Sequence, residues 1–291
     1  MAYDGAGFHG FARQASGPAG PIRTVQGELE RALESLYKQP VVTRGASRTD
    51  AGVHAQGQLV AFEAPLAIPP FGVARGLNGR LDPDVAILAA WEQHGPDGSV
   101  VDVRRGNRGK HYRYRIRCTE ARDPMAVRHQ WQLRRRIDPV AMQRAAAAFA
   151  GTYDFGSFRA SRCQSSTTER TLDAVTVRWG ASPRGPLGDA GRLDPEALDG
   201  SVPGEGPDWI DIDVHGHAFL YNMVRIMVGS LVEVGVGRRP PEWIARLLAH
   251  PDRTAAGPTA PACGLTLIEV RWPEPASRGG HGVGEGEPLE G

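Results

Sequence analysis

Apolar and polar positions alternate with two different periods along this chain, and each period predicts an element. In "KHYRYRIRC", from Lys110 onward, His111, Arg113, Arg115 and Arg117 share one side while Tyr112, Tyr114, Ile116 and Cys118 share the other. A period of two marks a β-strand, here one with a basic face. "WIDIDVHG" alternates Ile210, Ile212 and Val214 with Asp211 and Asp213 in the same manner. "RTLDAVTVRW", "GQLVAFEA" and "GLTLIEVRW" predict further strands. "PDVAILAAW", a continuous apolar run of strand length, predicts a buried strand in a central position.

Other segments are helical. "TVQGELERALESLYKQP" offers Thr24 as N-cap, Leu29, Leu33 and Leu36 at helical spacing, and Pro40 to close the helix. "IDPVAMQRAAAAFAG" has Asp138 as N-cap, Pro139 at the first helical position, Met142, Ala145, Ala146 and Phe149 on one face, and Gly151 just past the end. Residues 218–234 predict a buried helix and "PPEWIARLLAH" a shorter one. Strands and helices interleave in both halves without a detectable repeat, which predicts an α+β architecture of two packed subdomains. The expected division is 1–105, with a polar loop before its second strand, and 106–273, with the basic strand and the buried helix. A Gly/Pro-rich acidic stretch around 181–207 predicts a long loop, and the composition of 274–291 predicts a disordered tail.

Composition narrows the function. The 291 residues suit about two domains, or one large one. The apolar stretch 218–234 is interrupted by Asn222, Arg225 and Glu233 and falls short of the roughly 20 residues of a membrane span. The start lacks the basic and apolar regions of a signal peptide, so a cytoplasmic location is expected. Cys118, Cys163 and Cys263 are odd in number and unpaired in spacing, which predicts neither disulfides nor a zinc site. The formal net charge is only +1, yet residues 104–136 hold twelve Lys/Arg against Glu120 and Asp123, while 181–213 hold eight acids against Arg184 and Arg192. Segregation of this kind builds a positive surface suited to a polyanion.

Four places could carry chemistry. Gly5-Ala6-Gly7-Phe8-His9-Gly10 satisfies a dinucleotide-binding pattern but lacks the full strand before it and the helix within it, so it predicts a tight turn. His215-Gly216-His217 has no acidic or cysteine partner at ligand spacing and predicts a strand end. Arg225, amid Tyr221, Met223, Val224, Ile226, Met227 and Val228, must either snorkel to solvent or pair with a buried anion. Asp50, in "SRTDAGVHAQGQ", is either a turn aspartate before Gly52 or the carboxylate that Arg225 requires.

The wording around Asp50 decides which family to compare. "RTDAGVHAQGQLVAF" resembles the signature loop of the TruA-type tRNA pseudouridine synthases. "YDGAGFHGFARQ", "TVQGELERAL", "KHYRYRI", "FGSFRASRCQSSTTERT", "AFLYNMVRIMVGSLVEVG" and "AGPTAPACGLTLIEVRWP" resemble other blocks of that family in the same order, from about Tyr3 to Pro273. The resemblance implies a pseudouridine synthase fold: two tandem ferredoxin-like or RRM-like subdomains, with mainly antiparallel sheets and flanking helices around a basic cleft. It implies a homodimer that isomerises uridine to pseudouridine at positions 38–40 in the tRNA anticodon stem-loop, with neither cofactor nor metal. By position, Asp50 matches the catalytic aspartate, Arg225 its basic partner, Arg48 the arginine that helps displace the target base, Tyr112 the tyrosine packing on uracil, and Leu265 an apolar contact. A guanidinium beside Asp50 is expected to hold its pKa down. Arg104, Arg105, Arg108, Lys110, Arg113 and Arg115 are the expected contacts to tRNA phosphates.

Alternation places Tyr112 opposite the arginines, which predicts either a strand end opening into a cleft or a structural tyrosine. Three departures stand out: Ser47 replaces the usual glycine, Phe11-Ala12 the usual Trp-Gln, and the chain starts close to its first strand. The rival expectations are a catalytically silent RNA-binding protein and, more remotely, a nucleotide-dependent enzyme using the early glycines.

Overall fold

The computed structural model describes residues 1–14, 20, 22–95, 101–161, 163, 165–180 and 207–273. The predicted acidic loop, up to residue 206, and the predicted tail at 274–291 lie outside them. In chain order the first half holds β1 (Ala2–Tyr3), α1 (Val25–Tyr37), β2 (Thr43–Gly45), β3 (His54–Ala55), β4 (Val60–Phe62), α2 (Pro70–Asn78) and β5 (Val85–Ala86). The second half holds β6 (Gly109–Arg117), β7 (Trp131–Gln132), α3 (Pro139–Ala146), β8 (Gly151–Asp154), β9 (Glu169–Gly180), β10 (Trp209–Gly216), α4 (Met223–Gly235), α5 (Trp243–Ala249) and β11 (Leu265–Arg271).

One sheet runs through both halves in the order β5-β1-β3-β11-β6-β10-β9-β8, with β7 beside β6; β2 and β4 pair separately. Its neighbours are antiparallel except β3 with β11 and β6 with β7. The two halves join at the β3–β11 pair, where Thr266 faces His54 and Leu267 faces Ala55. Every Tyr or Ile predicted on the apolar side of β6 is buried, and so are Ile210, Ile212 and Val214 on β10, under α3 and α4. A smaller core of Leu29, Leu33, Tyr37, Val73 and Leu77 holds α1 against α2.

Local signals translate directly at α1 and α3. Thr24 and Asp138 accept hydrogen bonds from the amides of Gly27 and Ala141, and Pro139 opens α3. Three expectations need correction. The run "PDVAILAAW" supplies only the two-residue β5 at the sheet edge, and its Leu88 and Trp91 are exposed; an apolar run gives length and hydrophobicity but no neighbour on its second side. α1 stops at Lys38, which turns left-handed (φ 59°), two residues before Pro40. The helix expected from residue 218 starts only at Met223, because Asn222 takes φ 59°.

α4 positions the site. Ile226, Met227, Val228 and Leu231 are fully buried, worth together about 6–12 kcal/mol relative to exposure. Burying one guanidinium costs several kcal/mol. The apolar face therefore carries Arg225 inward with it.

Candidate active site

Asp50 sits on the polar loop that leads into β3. The loop is tied down from several sides. Thr49 accepts a hydrogen bond from the Phe11 amide (3.0 Å), its hydroxyl meets the Tyr3 hydroxyl (2.7 Å), and the Val53 amide donates back to the Asp50 carbonyl (3.1 Å). Gln58 brackets Ser47, accepting from its amide (3.1 Å) and donating to its carbonyl (2.8 Å). The early glycines belong here: a Cβ on Gly5 would overlap the Val53 carbonyl oxygen, so the chain start can lie directly on the loop. The dinucleotide pattern is thus a close-packing device, as the turn reading expected. Phe11, in place of the usual tryptophan, is 2% exposed and packs near Tyr3.

Arg225 does not snorkel. Its Nη1 donates to Asp50 Oδ2 (3.3 Å) and Asn222 Oδ1 (3.0 Å), and its Nε donates to the Ala260 carbonyl (2.7 Å). The side chains of Arg225 and Asp50 are 17% and 13% exposed. Small residues make this possible. Any Cβ on Gly229 would overlap the Pro258 carbonyl, so the loop at 257–260 presses onto α4 and brings Ala260 within reach of Arg225. The Ala260 amide in turn donates to the Arg225 carbonyl (3.0 Å).

Electrostatics correct one expectation. Burial pushes the Asp50 carboxyl above its ordinary value, and the charge and hydrogen bond of Arg225 only partly offset this. The guanidinium orients Asp50 without holding its pKa down. A carboxylate kept partly desolvated is the more reactive for it, because water does not blunt its charge.

The other predicted residues divide. Tyr112 is 6% exposed, with its hydroxyl 2.6 Å from Ser47 Oγ and its ring edge-on to Phe219. Burial raises its pKa, with the nearby Asp50 charge adding to the effect. Tyr112 therefore lies beside the site yet within the core. Leu265, 5% exposed, opens β11 opposite Tyr114. Arg48 is exposed on the loop. Ser47 has no positive φ, so its side chain causes no strain where glycine is usual.

The basic strand behaves differently from expectation. Side chains alternate across a sheet, so Arg113 and Arg115 point to the face opposite Tyr112. There they meet two aspartates of β10 that are 2–3% exposed. Arg115 grips Asp211 with Nε (2.8 Å) and Nη2 (2.7 Å), and Arg113 donates to Asp213 (2.9 Å), which Arg178 and His111 also engage. Burial alone would raise the Asp213 pKa; the hydrogen bond from His111 and the charges of Arg113 and Arg178 outweigh it and hold it well below the usual range. Lys110 is buried, its Nζ near Asn107 Oδ1 and the His217 carbonyl, and burial lowers its pKa to about 8. Arg104, Arg105 and Arg108 are exposed.

Sequence reasoning missed Asn222 and Ala260, the other two anchors of Arg225. Asn222 stands three residues before Arg225, a spacing that joins side chains on a helix, and could have been found; a backbone carbonyl 35 residues away could not.

Comparison with known proteins identifies the group. A family profile described as tRNA pseudouridine synthase matches residues 145–273. The tRNA pseudouridine synthase A of Myxococcus xanthus is 38% identical over 292 aligned residues, covering 100% of this chain and 97% of that protein. The Pelobacter propionicus enzyme of the same name is 40% identical, covering 93% and 96%. This chain belongs to the tRNA pseudouridine synthase A family. The fold expected of that family agrees with the mixed, mainly antiparallel sheet found here. Among the described residues no helix is long and apolar enough to cross a membrane.

Proposed function

We propose that this protein isomerises uridine to pseudouridine in the anticodon stem-loop of tRNA, at positions 38–40, with Asp50 as the catalytic carboxylate. The observation that carries the reading is the contact of Asp50 with Arg225 in a largely desolvated setting. Isomerisation breaks the C1′–N1 bond, turns the base, forms C1′–C5 and moves a proton from C5 to N1, so atoms balance without an external reactant. An ionised carboxylate can add to C1′ or to C6 and can later accept the C5 proton. Arg225, held by Asn222 and Ala260 as well, keeps that carboxylate aimed. Extruding the uridine costs a few kcal/mol; in this reading the exposed Arg48 fills the space the base leaves, with Tyr112 and Leu265 as the apolar wall. Residues 1–105 and 106–273 act as the two subdomains, Arg104, Arg105 and Arg108 contact tRNA phosphates, and the protein works as a homodimer in the cytoplasm. No observation favours the silent alternative, since Ser47 is unstrained.

The test uses unmodified tRNA tritiated at uridine C5. The wild type should release label, and Asp50→Ala should lose about 10⁴-fold or more of that rate while still retaining tRNA on a filter. Release by Asp50→Ala at the wild-type rate overturns the assignment.

A further inference from the structure

The face of the sheet turned away from Asp50 carries a second cluster. His54 pairs with Thr266 in the β3–β11 register, and Thr266 pairs with Arg113, so His54 points to the same side as the Arg113–Asp213 contact. Asp4 and His129 meet it there. The ligand atoms of these three residues lie within 4.8 Å of one another. His129 Nε2 is 3.5 Å from Asp4 Oδ2, and His54 Nδ1 is 3.1 Å from Asp4 Oδ1. Ligand atoms about 2.0–2.1 Å from a tetrahedral metal stand about 3.4 Å apart; each ring nitrogen lies near that distance from a different oxygen of Asp4, so a small turn of the carboxylate would let one oxygen share an ion with both rings.

His54 presents to Asp4 a ring nitrogen for which two partners compete. It is 3% exposed. Its Nδ1 lies 3.1 Å from both the Gly5 amide and Asp4 Oδ1 and can accept from one or donate to the other, not both. Its Nε2 is buried and, among the described residues, makes no hydrogen bond of good geometry, although the backbone of Arg128 and of Cys263 lies close enough to favour a proton on the ring. His129 and Asp4, with side chains 49% and 33% exposed, give an ion a path from solvent and leave room for water. The rings of His54 and His129 are 4.6 Å apart and tilted, not stacked flat against each other.

We propose that Asp4, His54 and His129 bind a divalent transition metal of the zinc class, clamping the chain start and β3 to the segment before β7. The site takes no part in the isomerisation, and it stands whether or not the proposed reaction does. The test titrates Co²⁺ into the metal-stripped full-length protein, follows the visible absorption of tetrahedral cobalt, and then displaces it with Zn²⁺. Wild type should take up one equivalent and melt at higher temperature with Zn²⁺. His129→Ala, a change at an exposed ring, should stay folded by circular dichroism and bind at least about tenfold more weakly; Asp4→Asn should weaken binding likewise. His94→Ala, exposed and outside the cluster, should bind as wild type does. Absence of stoichiometric binding by wild type, or equal binding by His129→Ala, overturns the proposal.

Discussion

Asp50 illustrates how a desolvated carboxylate burdens the fold that holds it. Its pKa in the folded protein lies above the ordinary 3.8, because burial outweighs the attraction of Arg225. The folded state therefore holds this proton more tightly than the unfolded chain does. The associated stability is fully present below 3.8 and is lost as pH rises through the folded value. At neutral pH the ionised carboxylate is a net cost. Asp50→Asn removes the charge but keeps a hydrogen-bond acceptor for Arg225, so it should abolish tritium release and yet unfold in urea with about 1 kcal/mol more stability than wild type at neutral pH. In acid, below the carboxylate range, that difference should vanish. A variant less stable than wild type at neutral pH would show that Arg225 stabilises the charge more than burial penalises it.

Elements show where local sequence suffices and where it fails. β6, α1 and α3 were legible because period and caps are properties of adjacent residues; Thr24, Asp138 and Pro139 act within one turn of their own position. The ion pairs between β6 and β10 were not legible, although both alternations were. Nothing local says that Arg113 stands opposite Asp213, a register between strands about 100 residues apart. The same gap hid the seating of 257–260 on α4. Gly229→Ala should force the Pro258 carbonyl away, costing about 1–3 kcal/mol by overpacking. It should also slow tritium release more than it weakens tRNA binding, since Ala260 would no longer anchor Arg225. Asp213→Asn tests the other arrangement. Asp213 has a depressed pKa, so its contribution is present above 3.8 and lost as pH falls through the folded value. The variant should lose about 3 kcal/mol in urea unfolding at neutral pH, and the deficit should shrink in strong acid.

For the whole molecule, the charge tally along the sequence overstated the positive charge that folding leaves exposed. Residues 104–136 carry twelve cations, but folding commits several of them: Arg113 and Arg115 to buried aspartates, Lys110 to a buried pocket of carbonyls. They also lie on opposite sides of the sheet, so one strand cannot present them together. Arg104, Arg105 and Arg108 precede β6 and remain exposed, and Arg105 faces Asp102 only at 3.9 Å with its side chain 92% exposed. A pair so open is worth little and yields readily to a phosphate. Each phosphate contact adds about 0.7–0.9 to the slope of log affinity against log salt. Changing Arg104, Arg105 and Arg108 together to Ala should therefore lower that slope by about 2–3, measured by filter binding of tRNA across a salt series, with little change in urea unfolding. Arg113→Ala should do the reverse, leaving the slope nearly unchanged while reducing stability, because it strips a partner from Asp213. If Arg113→Ala instead lowers the slope as much as an exposed arginine does, the β10 aspartates release it on binding and the reverse face of the sheet also meets RNA.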